Sequence, residues 1–389
     1  MKERGNFWLR FVDRYLGIPF LFILSLVKRP NKPVKDIKNV IVIKMGSIGD
    51  TLLLIPVLKA IKDVHKDIFL TVVCSKNNYE VLNRYSFIDS LKVFEISKSI
   101  KEPFYFSKFM KDVNSRKYDV LMDFELWIRI SAVVAHFVKT GFKMGFRTDR
   151  QFRHLIFDAA IPQSPNRHEI ENYMSLADAI GVSVSDYKIE FPISDSEKAF
   201  VEDLLEKERF GSDNLILFHP WSSGYRGHLK QWKIENFIDL AKILIEKGYW
   251  IGITGTQNND VEAQDIVKVC PDKVVSFCGR LSLGETAYLI KKSRLLITVN
   301  TGIMHLGAAL NHPMIALHGP AGVVRWGTVG SSNVHNIESS FDCAPCLNLG
   351  FEYKCKDGGC MDAIKVETVA QKVHEVVSCE IPPVAYIKS

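Results

Sequence analysis

The chain has 389 residues, a formal net charge of +6 at pH 7 and a hydrophobic content of 47%. This length suits two domains of ordinary size, and this apolar content suits packed interiors. Because the excess of positive charge is small and both signs are scattered, the composition does not indicate a dedicated nucleic-acid-binding surface. Eight cysteines spread over such a length argue against a disulfide-stapled secreted protein, so we expect a reducing compartment, the cytoplasm.

The first 38 residues form a segment that differs from the rest of the chain. Before Gly17, the apolar residues fall on one side of a helix; they are Phe7, Trp8, Phe11, Val12, Tyr15 and Leu16. The apolar run Leu16–Val27 is about 18 Å long as a helix, too short for a hydrocarbon core of about 30 Å. No signal-peptide cleavage site follows it. We expect an amphipathic segment on a membrane surface, with capping of the folded core as the alternative.

From residue 39 onward, predicted strands and helices alternate. A first series of strands includes IKNVIVIKM, IFLTVVCS and YDVLMDF; a second series includes NLILFHP, YWIGITG and RLLITVN. Alternation of this kind predicts parallel sheets with crossover helices. We therefore predict an α/β protein with two doubly wound domains, at residues 39–195 and 196–389, after the N-terminal segment and linker at 1–38.

The turn GSIGD, residues 46–50, ends an apolar strand and starts a helix. It matches neither the dinucleotide nor the P-loop fingerprint. Its glycines permit close approach of a ligand, and open α/β folds bind ligands at this edge of a sheet. Asp50 is then either an ordinary helix N-cap, which this stretch alone favours, or a general base. Ser47 in the same turn is a candidate contact for an acceptor.

A loop and a strand end in the second half offer groups that suit a nucleotide. The stretch HPWSSGYRGHLKQW follows a strand and contains Ser222, Ser223 and Lys230. Hydroxyls, main-chain N–H groups and cations are what a diphosphate needs, although a solvated basic loop fits as well. Asp260 follows the strand YWIGIT, and a carboxylate at such a position often binds ribose hydroxyls.

The stretch TVNTGIMHLGAALNHP gives the strongest local signal. A strand ends at Asn300, and Thr301 and Gly302 start a helix whose first N–H groups can hold a phosphate. His305 lies in the first turn of this helix. A histidine buried in the core is the alternative for His305, but its place at the sheet edge favours a ligand contact.

Four cysteines lie close together near the C-terminus: Cys343, Cys346, Cys355 and Cys360. Two closely spaced pairs can satisfy tetrahedral Zn²⁺, although the spacing is irregular for a zinc ribbon. Structural cysteines that are reduced or partly disulfide-linked are the alternative. A fully ligated metal here would be structural, so no catalytic metal is expected.

A basic stretch in the first half contains Lys143, Arg147, Arg150, Arg153 and His154, and its three arginines are the candidate acceptor contacts. Such a stretch suits an anionic phosphosugar or a lipid-linked acceptor. A solvated surface is the alternative.

Four stretches, in their order along the chain, resemble glycosyltransferase family 9, the ADP-heptose:lipopolysaccharide heptosyltransferases. They are VIVIKMGSIGDTLLLIPVLKAI, HPWSSGYRGHLKQWKIENFIDLA, VNTGIMHLGAALNHPMIALHGP and the CAPC segment, and the resemblance runs from about residue 40 to residue 375. It implies a GT-B fold, in which two Rossmann-like domains face each other across a cleft. The acceptor would bind the N-terminal domain, and the nucleotide sugar would bind the C-terminal domain.

The resemblance also implies roles for individual residues. The carboxylate of the G-x-x-G-D turn, the proposed catalytic base of the family, corresponds to Asp50. The lysine just before the tryptophan of the second stretch, a diphosphate contact, corresponds to Lys230. The groups around the nucleotide diphosphate correspond to Thr301, Gly302 and His305.

The chain departs from the family pattern at two positions. Asn300 stands where the family usually has aspartate, and Trp221 stands where it usually has glycine. We predict an inverting transferase, without cofactor or catalytic metal, that moves heptose from ADP-heptose to a lipopolysaccharide core acceptor at the inner membrane. Because of the departures, two alternatives stay open. One is another nucleotide-sugar donor for a cell-surface glycan, and the other is a non-catalytic nucleotide-sugar-binding protein at the membrane.

Overall fold

The computed structural model describes residues 7–28, 31–34, 36–183, 187–208, 214–224, 226–349, 352, 355–356 and 358–379. The side chains of residues 7–10 are outside this description, so the predictions for Phe7 and Trp8 lie outside the described residues. The chain divides into two compact units, Met1–Tyr187 and Lys188–Ser389.

The first unit contains a six-stranded parallel sheet. Its strands are β1 (Asn39–Lys44), β2 (Phe69–Cys74), β3 (Ser90–Val93), β4 (Tyr118–Asp123), β5 (Thr140–Arg147) and β6 (Ala159–Pro162). They lie in the order β3-β2-β1-β4-β5-β6. Val42 of β1 pairs with Val72 on one side and with Met122 on the other. Because the strand order reverses between β1 and β4, the carboxyl ends of these two strands border the crevice where such sheets bind ligands.

Helices cover both faces of the first sheet. They are α1 (Phe7–Tyr15), α2 (Gly17–Leu26), α3 (Ile48–Val64), α4 (Lys76–Leu82), α5 (Ile96–Lys101), α6 (Tyr105–Val113), α7 (Arg129–Phe137) and α8 (Glu169–Asp178). The strands between them are almost continuously apolar, as expected for a parallel sheet that is buried on both sides. Pro56 lies within α3.

The two N-terminal helices belong to the first unit and leave apolar side chains exposed. Leu21 and Leu24 of α2 are buried in the core on one side of the sheet, together with residues of α6 and α7. Ile23 and Leu26 of the same helix are 60% and 85% exposed. In the part of the chain that the structure describes, no helix has both the length and the hydropathy needed to cross a bilayer. Some side chains of this N-terminal segment therefore cap the folded core, and others form an exposed apolar surface.

The second unit repeats the architecture of the first. Its strands are β7 (Leu215–His219), β8 (Trp250–Ile253), β9 (Val274–Ser276), β10 (Leu295–Val299), β11 (Met314–His318) and β12 (Val334–Glu338). They form a parallel sheet in the order β12-β11-β10-β7-β8-β9. Read from the other edge, this order is the same as that of the first sheet. The reversal lies between β7 and β10, so the carboxyl ends of these strands mark the expected ligand crevice of this unit.

Helices also lie before, between and after the strands of the second unit. They are α9 (Asp195–Lys207), α10 (Ile234–Glu246), α11 (Asp260–Val267), α12 (Leu283–Lys292), α13 (Gly302–Ala309), α14 (Val323–Trp326), α15 (Gly359–Asp362) and α16 (Val366–Cys379). Capping boxes start two of them, between Ser194 and Glu197 and between Ser282 and Glu285. The predicted α/β class with two doubly wound halves is confirmed.

Candidate active site

Asp50 lies in the first turn of α3 and is partly open to solvent. The N-cap position belongs to Ser47, whose side chain makes no capping hydrogen bond, so the interpretation of Asp50 as the N-cap is wrong. A carboxylate in the first turn still interacts favourably with the helix dipole. The Asp50 side chain is 20% exposed. It therefore remains accessible at the carboxyl end of β1.

The turn that carries Asp50 is fixed by buried hydrogen bonds. Ser47 has a φ angle of 37°, in the region that favours glycine. The Thr51 hydroxyl donates to the main-chain oxygen of Ser47 over 2.8 Å. The buried Asn78 amide donates to the main-chain oxygen of Gly46 and to the Thr51 hydroxyl, over 2.6 Å in each case. These contacts hold Ser47 in a conformation that a free chain would avoid, as is common at functional sites.

A buried lysine lies next to Asp50. Lys44 ends β1 and is fully buried, and its Nζ atom is 3.5 Å from Oδ2 of Asp50 and 3.9 Å from Oε1 of Glu125. Glu125 follows β4 and is also buried. Its Oε1 atom accepts the N–H groups of Met45 and Gly46, over 2.5 Å in each case. One ammonium and two carboxylates thus meet where the strand order reverses between β1 and β4.

Arg153 lies inside the first unit and not on its surface. Its guanidinium is fully buried, and Nη2 is 2.6 Å from Oδ2 of Asp123. The same guanidinium donates to the Ser131 hydroxyl over 3.1 Å and to the main-chain oxygen of Glu125. Because the side chain does not reach solvent, the prediction of Arg153 as a contact for an acceptor is wrong.

The other two arginines of the basic stretch are exposed. Arg147 ends β5, and Arg150 follows it in a loop with a φ angle of 59°. This loop contacts the N-terminal helices, since the rings of Phe152 and Phe22 lie 5.6 Å apart. The loop that carries the exposed Arg150 therefore adjoins the segment with the exposed apolar side chains.

The loop after β7 carries three of the predicted donor contacts. Ser222 is buried, and its main-chain oxygen accepts the Gln231 amide over 3.1 Å. Ser223 is exposed. Lys230 is half-buried and ends a 3₁₀ turn, Gly227–Lys230. Because β7 pairs directly with β10, this loop lies at the strand-order reversal of the second sheet.

The helix after β10 begins with the second set of predicted contacts. Thr301 occupies the N-cap position of α13, and its side chain makes no capping hydrogen bond. Thr301 and Gly302 are half-buried, whereas His305 is 5% exposed. The first N–H groups of α13 therefore donate no hydrogen bond to the cap side chain, and they are the kind of group that binds an anion at a helix N-terminus.

Asp260 is engaged within its own unit. It begins α11, and its Oδ1 atom accepts the Ser276 hydroxyl over 2.7 Å and the Gln264 amide over 3.2 Å. These bonds join α11 to the end of β9. A contact with ribose would have to share this oxygen or use the other one.

Trp221 fills space inside the second unit. It is 5% exposed, and its indole N–H donates to Oε2 of Glu262 over 2.6 Å. A Cβ atom on Gly255 would lie 2.8 Å from the indole ring. The large side chain at this position is thus accommodated by a glycine on the neighbouring loop and by a carboxylate partner.

The four clustered cysteines are free thiols in this structure, which corresponds to the reduced form of the structural alternative. Burial raises the pKa of the Cys360 thiol to about 11, and the charges of the other three cysteines add to the increase. Among the described residues, no group of three or more histidine, cysteine or acidic side chains could hold a metal ion. A structural metal here gains no support and stays a prediction.

The cysteine segment packs against the loops that carry the predicted donor contacts. Arg226 donates to the main-chain oxygen of Cys355 over 2.6 Å. The N–H group of Cys346 donates to the main-chain oxygen of Pro320 over 3.0 Å. The segment therefore supports the loop after β7 and the loop after β11 from one side.

Sequence reasoning missed Lys44 and Glu125. Neither residue belongs to a sequence motif that marks a functional site. A lysine at the end of the apolar run VIVI was nevertheless a signal, because a charged side chain on a strand buried on both faces needs a partner.

Comparisons with known proteins agree with this architecture. The chain is similar to the lipopolysaccharide core heptosyltransferase OpsX of Haemophilus influenzae, with 22% identity over 87% of this chain and 97% of the relative. A crystal structure of a family 9 glycosyltransferase from Veillonella parvula superposes with a TM-score of 0.72 and 20% identity over 89% of this chain and 98% of the other.

A second solved structure gives the same result. It is the ADP-heptose lipopolysaccharide heptosyltransferase II of Escherichia coli, with a TM-score of 0.68 and 18% identity over 88% of this chain and 99% of the other. The fold is thus the GT-B fold of these proteins. The model of glycosyltransferase family 9 (heptosyltransferase) matches residues 106–356, more than half of the sequence, and the chain belongs to that family.

Proposed function

We propose that this protein is an inverting glycosyltransferase that moves heptose from ADP-heptose to a lipopolysaccharide core acceptor. The observation that carries the proposal is the position of Asp50: a partly exposed carboxylate in a fixed turn, at the strand-order reversal of the first sheet. This edge is where doubly wound sheets bind their ligands. Family membership and the functions in the names of the relatives support the same reaction.

In the proposed reaction, Asp50 is the general base. An acceptor hydroxyl attacks the anomeric carbon, and Asp50 accepts the proton of that hydroxyl. A new bond forms between the acceptor oxygen and the anomeric carbon, on the face opposite to the leaving group. The bond from that carbon to the diphosphate oxygen breaks at the same time, which inverts the configuration.

The second unit stabilises the leaving group. ADP departs with the electron pair of the broken bond, so negative charge grows on its diphosphate. Lys230, the N–H groups at Thr301 and Gly302, and His305 provide positive charge and hydrogen-bond donors for this diphosphate. Preorganised groups of this kind stabilise the transition state more than the bound substrate, because the charge is largest there.

The acceptor is an anionic lipid-linked saccharide, and the first unit offers contacts for it. Arg147 and Arg150 are exposed cations at the carboxyl edge of the first sheet, and arginine suits phosphate groups. Ser47 is the candidate contact next to Asp50. The loop with Arg150 touches α2, whose exposed Ile23 and Leu26 suit the surface of a bilayer. We propose peripheral attachment to the cytoplasmic side of the inner membrane.

The proposal is tested by incubating purified protein with a panel of nucleotide sugars and a lipopolysaccharide core acceptor. Mass spectrometry would follow both the nucleoside diphosphate released and the mass added to the acceptor. We expect ADP release from ADP-heptose that depends on acceptor, with a heptose added to the acceptor. Turnover with a different nucleotide sugar would show that the transferred sugar is not heptose. Donor binding without turnover on any acceptor would favour a non-catalytic binding protein.

A further inference from the structure

We infer that Lys44 is a positioning residue that holds the Asp50 carboxylate in its reactive place. The inference rests on the proposed function, in which Asp50 accepts the proton of the acceptor. Lys44 itself is fully buried and cannot touch a substrate. Any effect of Lys44 on the reaction rate would therefore be exerted through Asp50.

The surroundings of the Lys44 ammonium are unusual for a lysine. The side chain has no contact with solvent, and its Nζ atom lies 5.4 Å from the centre of the Tyr173 ring. Three acceptors surround the same atom: Asp50 Oδ2 at 3.5 Å, the main-chain oxygen of Phe124 at 3.5 Å and Glu125 Oε1 at 3.9 Å. A buried ammonium is costly unless anions compensate it. Two carboxylates supply that compensation.

The carboxylates of Glu125 and Asp50 differ in how firmly they are held in place. Glu125 is fixed, because its Oε1 atom accepts two main-chain N–H groups of the loop after β1. Asp50 has no such bonds among the described residues, and Lys44 is the one described cation within ion-pair distance of it. Glu125 therefore anchors Lys44, and Lys44 restrains Asp50.

The distance between Lys44 and Asp50 suits orientation of the carboxylate rather than a tight ion pair. At 3.5 Å, the contact between Lys44 and Asp50 is longer than a normal charge-assisted hydrogen bond, which is about 2.7 to 2.9 Å. The carboxylate is attracted and oriented, but it keeps its oxygens available to accept a proton from an acceptor. A tight pair would compete with that proton.

Replacement of Lys44 would remove this restraint. In Lys44→Met, the cation is lost while Asp50 and Glu125 remain, so Asp50 no longer has a charged partner and can turn toward solvent. A displacement of about 1 Å in a catalytic group can cost about 100-fold in rate. We expect kcat to fall by roughly 10-fold to 100-fold, while the KM for ADP-heptose and the Kd for ADP change less than about twofold.

The test compares variants of the full chain. Lys44→Met and Lys44→Gln both remove the charge, and the glutamine keeps an N–H donor for the main-chain oxygen of Phe124. The matched control is Lys62→Met, since Lys62 pairs with Asp89 over 2.6 Å and lies on the same helix as Asp50. It is 12 residues further along, about 18 Å away. Each variant is assayed for kcat, KM, ADP binding by calorimetry, and unfolding by urea.

A double-mutant cycle shows whether Lys44 acts through Asp50. If it does, Lys44→Met lowers the residual kcat of Asp50→Asn by less than about twofold, because the restrained group is already gone. A full additional loss in that background would overturn the inference. So would wild-type kcat in both Lys44 variants. Failure of both variants to fold would assign Lys44 to the stability of the fold and overturn it as well.

The outcomes separate this inference from the proposed function. If Asp50→Asn keeps wild-type turnover, the proposed base is wrong and Lys44 has nothing to position. If Asp50→Asn is inactive while the Lys44 variants keep full kcat, only the inference about Lys44 fails.

Discussion

The side-chain amide of Asn300 donates a hydrogen bond to the main-chain oxygen of Trp326 over 3.0 Å. The same amide nitrogen is 3.3 Å from Nδ1 of the buried His318. A carboxylate cannot donate a hydrogen bond, so aspartate could not replace this contact. The departure from the aspartate expected at this position is thus linked to the packing of the loop after β11.

Asn300→Asp is therefore expected to destabilise the protein rather than to increase its activity. The substitution places a buried carboxylate next to a main-chain oxygen, and it leaves that oxygen without its donor. The cost of such a change is about 1 to 3 kcal/mol in the free energy of unfolding. Urea denaturation at pH 8 would measure it.

The matched control for this prediction is Asn336→Asp. The exposed Asn336 accepts from the other ring nitrogen of His318 over 2.9 Å, so an aspartate can keep that role. We expect little loss of stability in the control. Equal or greater stability of Asn300→Asp than of the unmodified chain would contradict the prediction.

Asp50→Asn is expected to lower kcat by about 100-fold to 10,000-fold and to leave donor binding intact. Asparagine has nearly the same shape but cannot accept the proton, and general bases typically contribute about 100-fold to 10,000-fold to the rate. Single-turnover assays with ADP-heptose and calorimetry with ADP would measure both properties. Asp63→Asn is the control, since Asp63 lies near the other end of α3 in an exposed pair with Lys59. Turnover retained in Asp50→Asn would remove this residue from catalysis.

Lys230→Met is expected to weaken donor binding. The half-buried cation is lost from the loop after β7. Hydrogen bonds to charged groups contribute about 1.5 to 3 kcal/mol, so the Kd for ADP should rise by roughly 10-fold to 150-fold. Lys233→Met is the control, because Lys233 is exposed and pairs with Asp362 over 2.8 Å. Similar ADP affinity in both variants would argue against a diphosphate contact at Lys230.

The parallel α/β class and the location of the ligand edge could be predicted from the sequence because both follow from local patterns. Apolar runs such as VIVI and ILF identify buried strands, and alternation with helices specifies parallel pairing. The strand at 140–147 was missed, since TGFKMGFR has no continuous apolar run and contains two glycines and two basic residues. Its arginine at position 147 was found for its charge and not for its place in a strand.

The buried charges could not be predicted, because they depend on contacts between residues far apart in sequence. Nothing in the sequence around Arg153 distinguishes it from the exposed arginines nearby. Its partner Asp123 is 30 residues away and ends a strand that the apolar pattern places in the core. Lys44 and Glu125 are likewise brought together only by the pairing of β1 with β4. The local periodicity of the sequence does not indicate which distant residues pair in this way.

Two histidines, the half-buried His219 and the buried His312, make the stability of the second unit depend on pH. Burial lowers the pKa of His219 and of His312 to about 4 in each case. The unfolded chain binds protons near pH 6.5, so it is favoured as the pH falls below that value. The stabilisation by each neutral ring is present above about pH 6.5 and is lost progressively down to pH 4.

His312→Gln is expected to remove one of these contributions. Glutamine can keep a hydrogen bond to the hydroxyl of Ser293, which lies 3.1 Å from Nε2 of His312, but it does not titrate. The loss of unfolding free energy between pH 7 and pH 4.5 should then shrink by about 2 to 3 kcal/mol. His374→Gln, at an exposed position on α16, is the control. An unchanged pH dependence in His312→Gln would contradict this prediction.

The exposed apolar side chains of α2 should bind a bilayer. Ile23 and Leu26 are 60% and 85% exposed, while Leu21 and Leu24 of the same helix are buried, so charges can be introduced on the outer side without opening the core. Burial of two such side chains in lipid is favourable by about 3 to 6 kcal/mol in total. Ile23→Asp combined with Leu26→Asp should reduce partitioning into phosphatidylglycerol-containing vesicles by at least about 100-fold in a co-sedimentation assay. Val261→Asp, at a 79% exposed position on α11, should bind as the unmodified chain does. Equal binding by the double variant would show that α2 does not contact the membrane, and the exposed side chains would then need another partner.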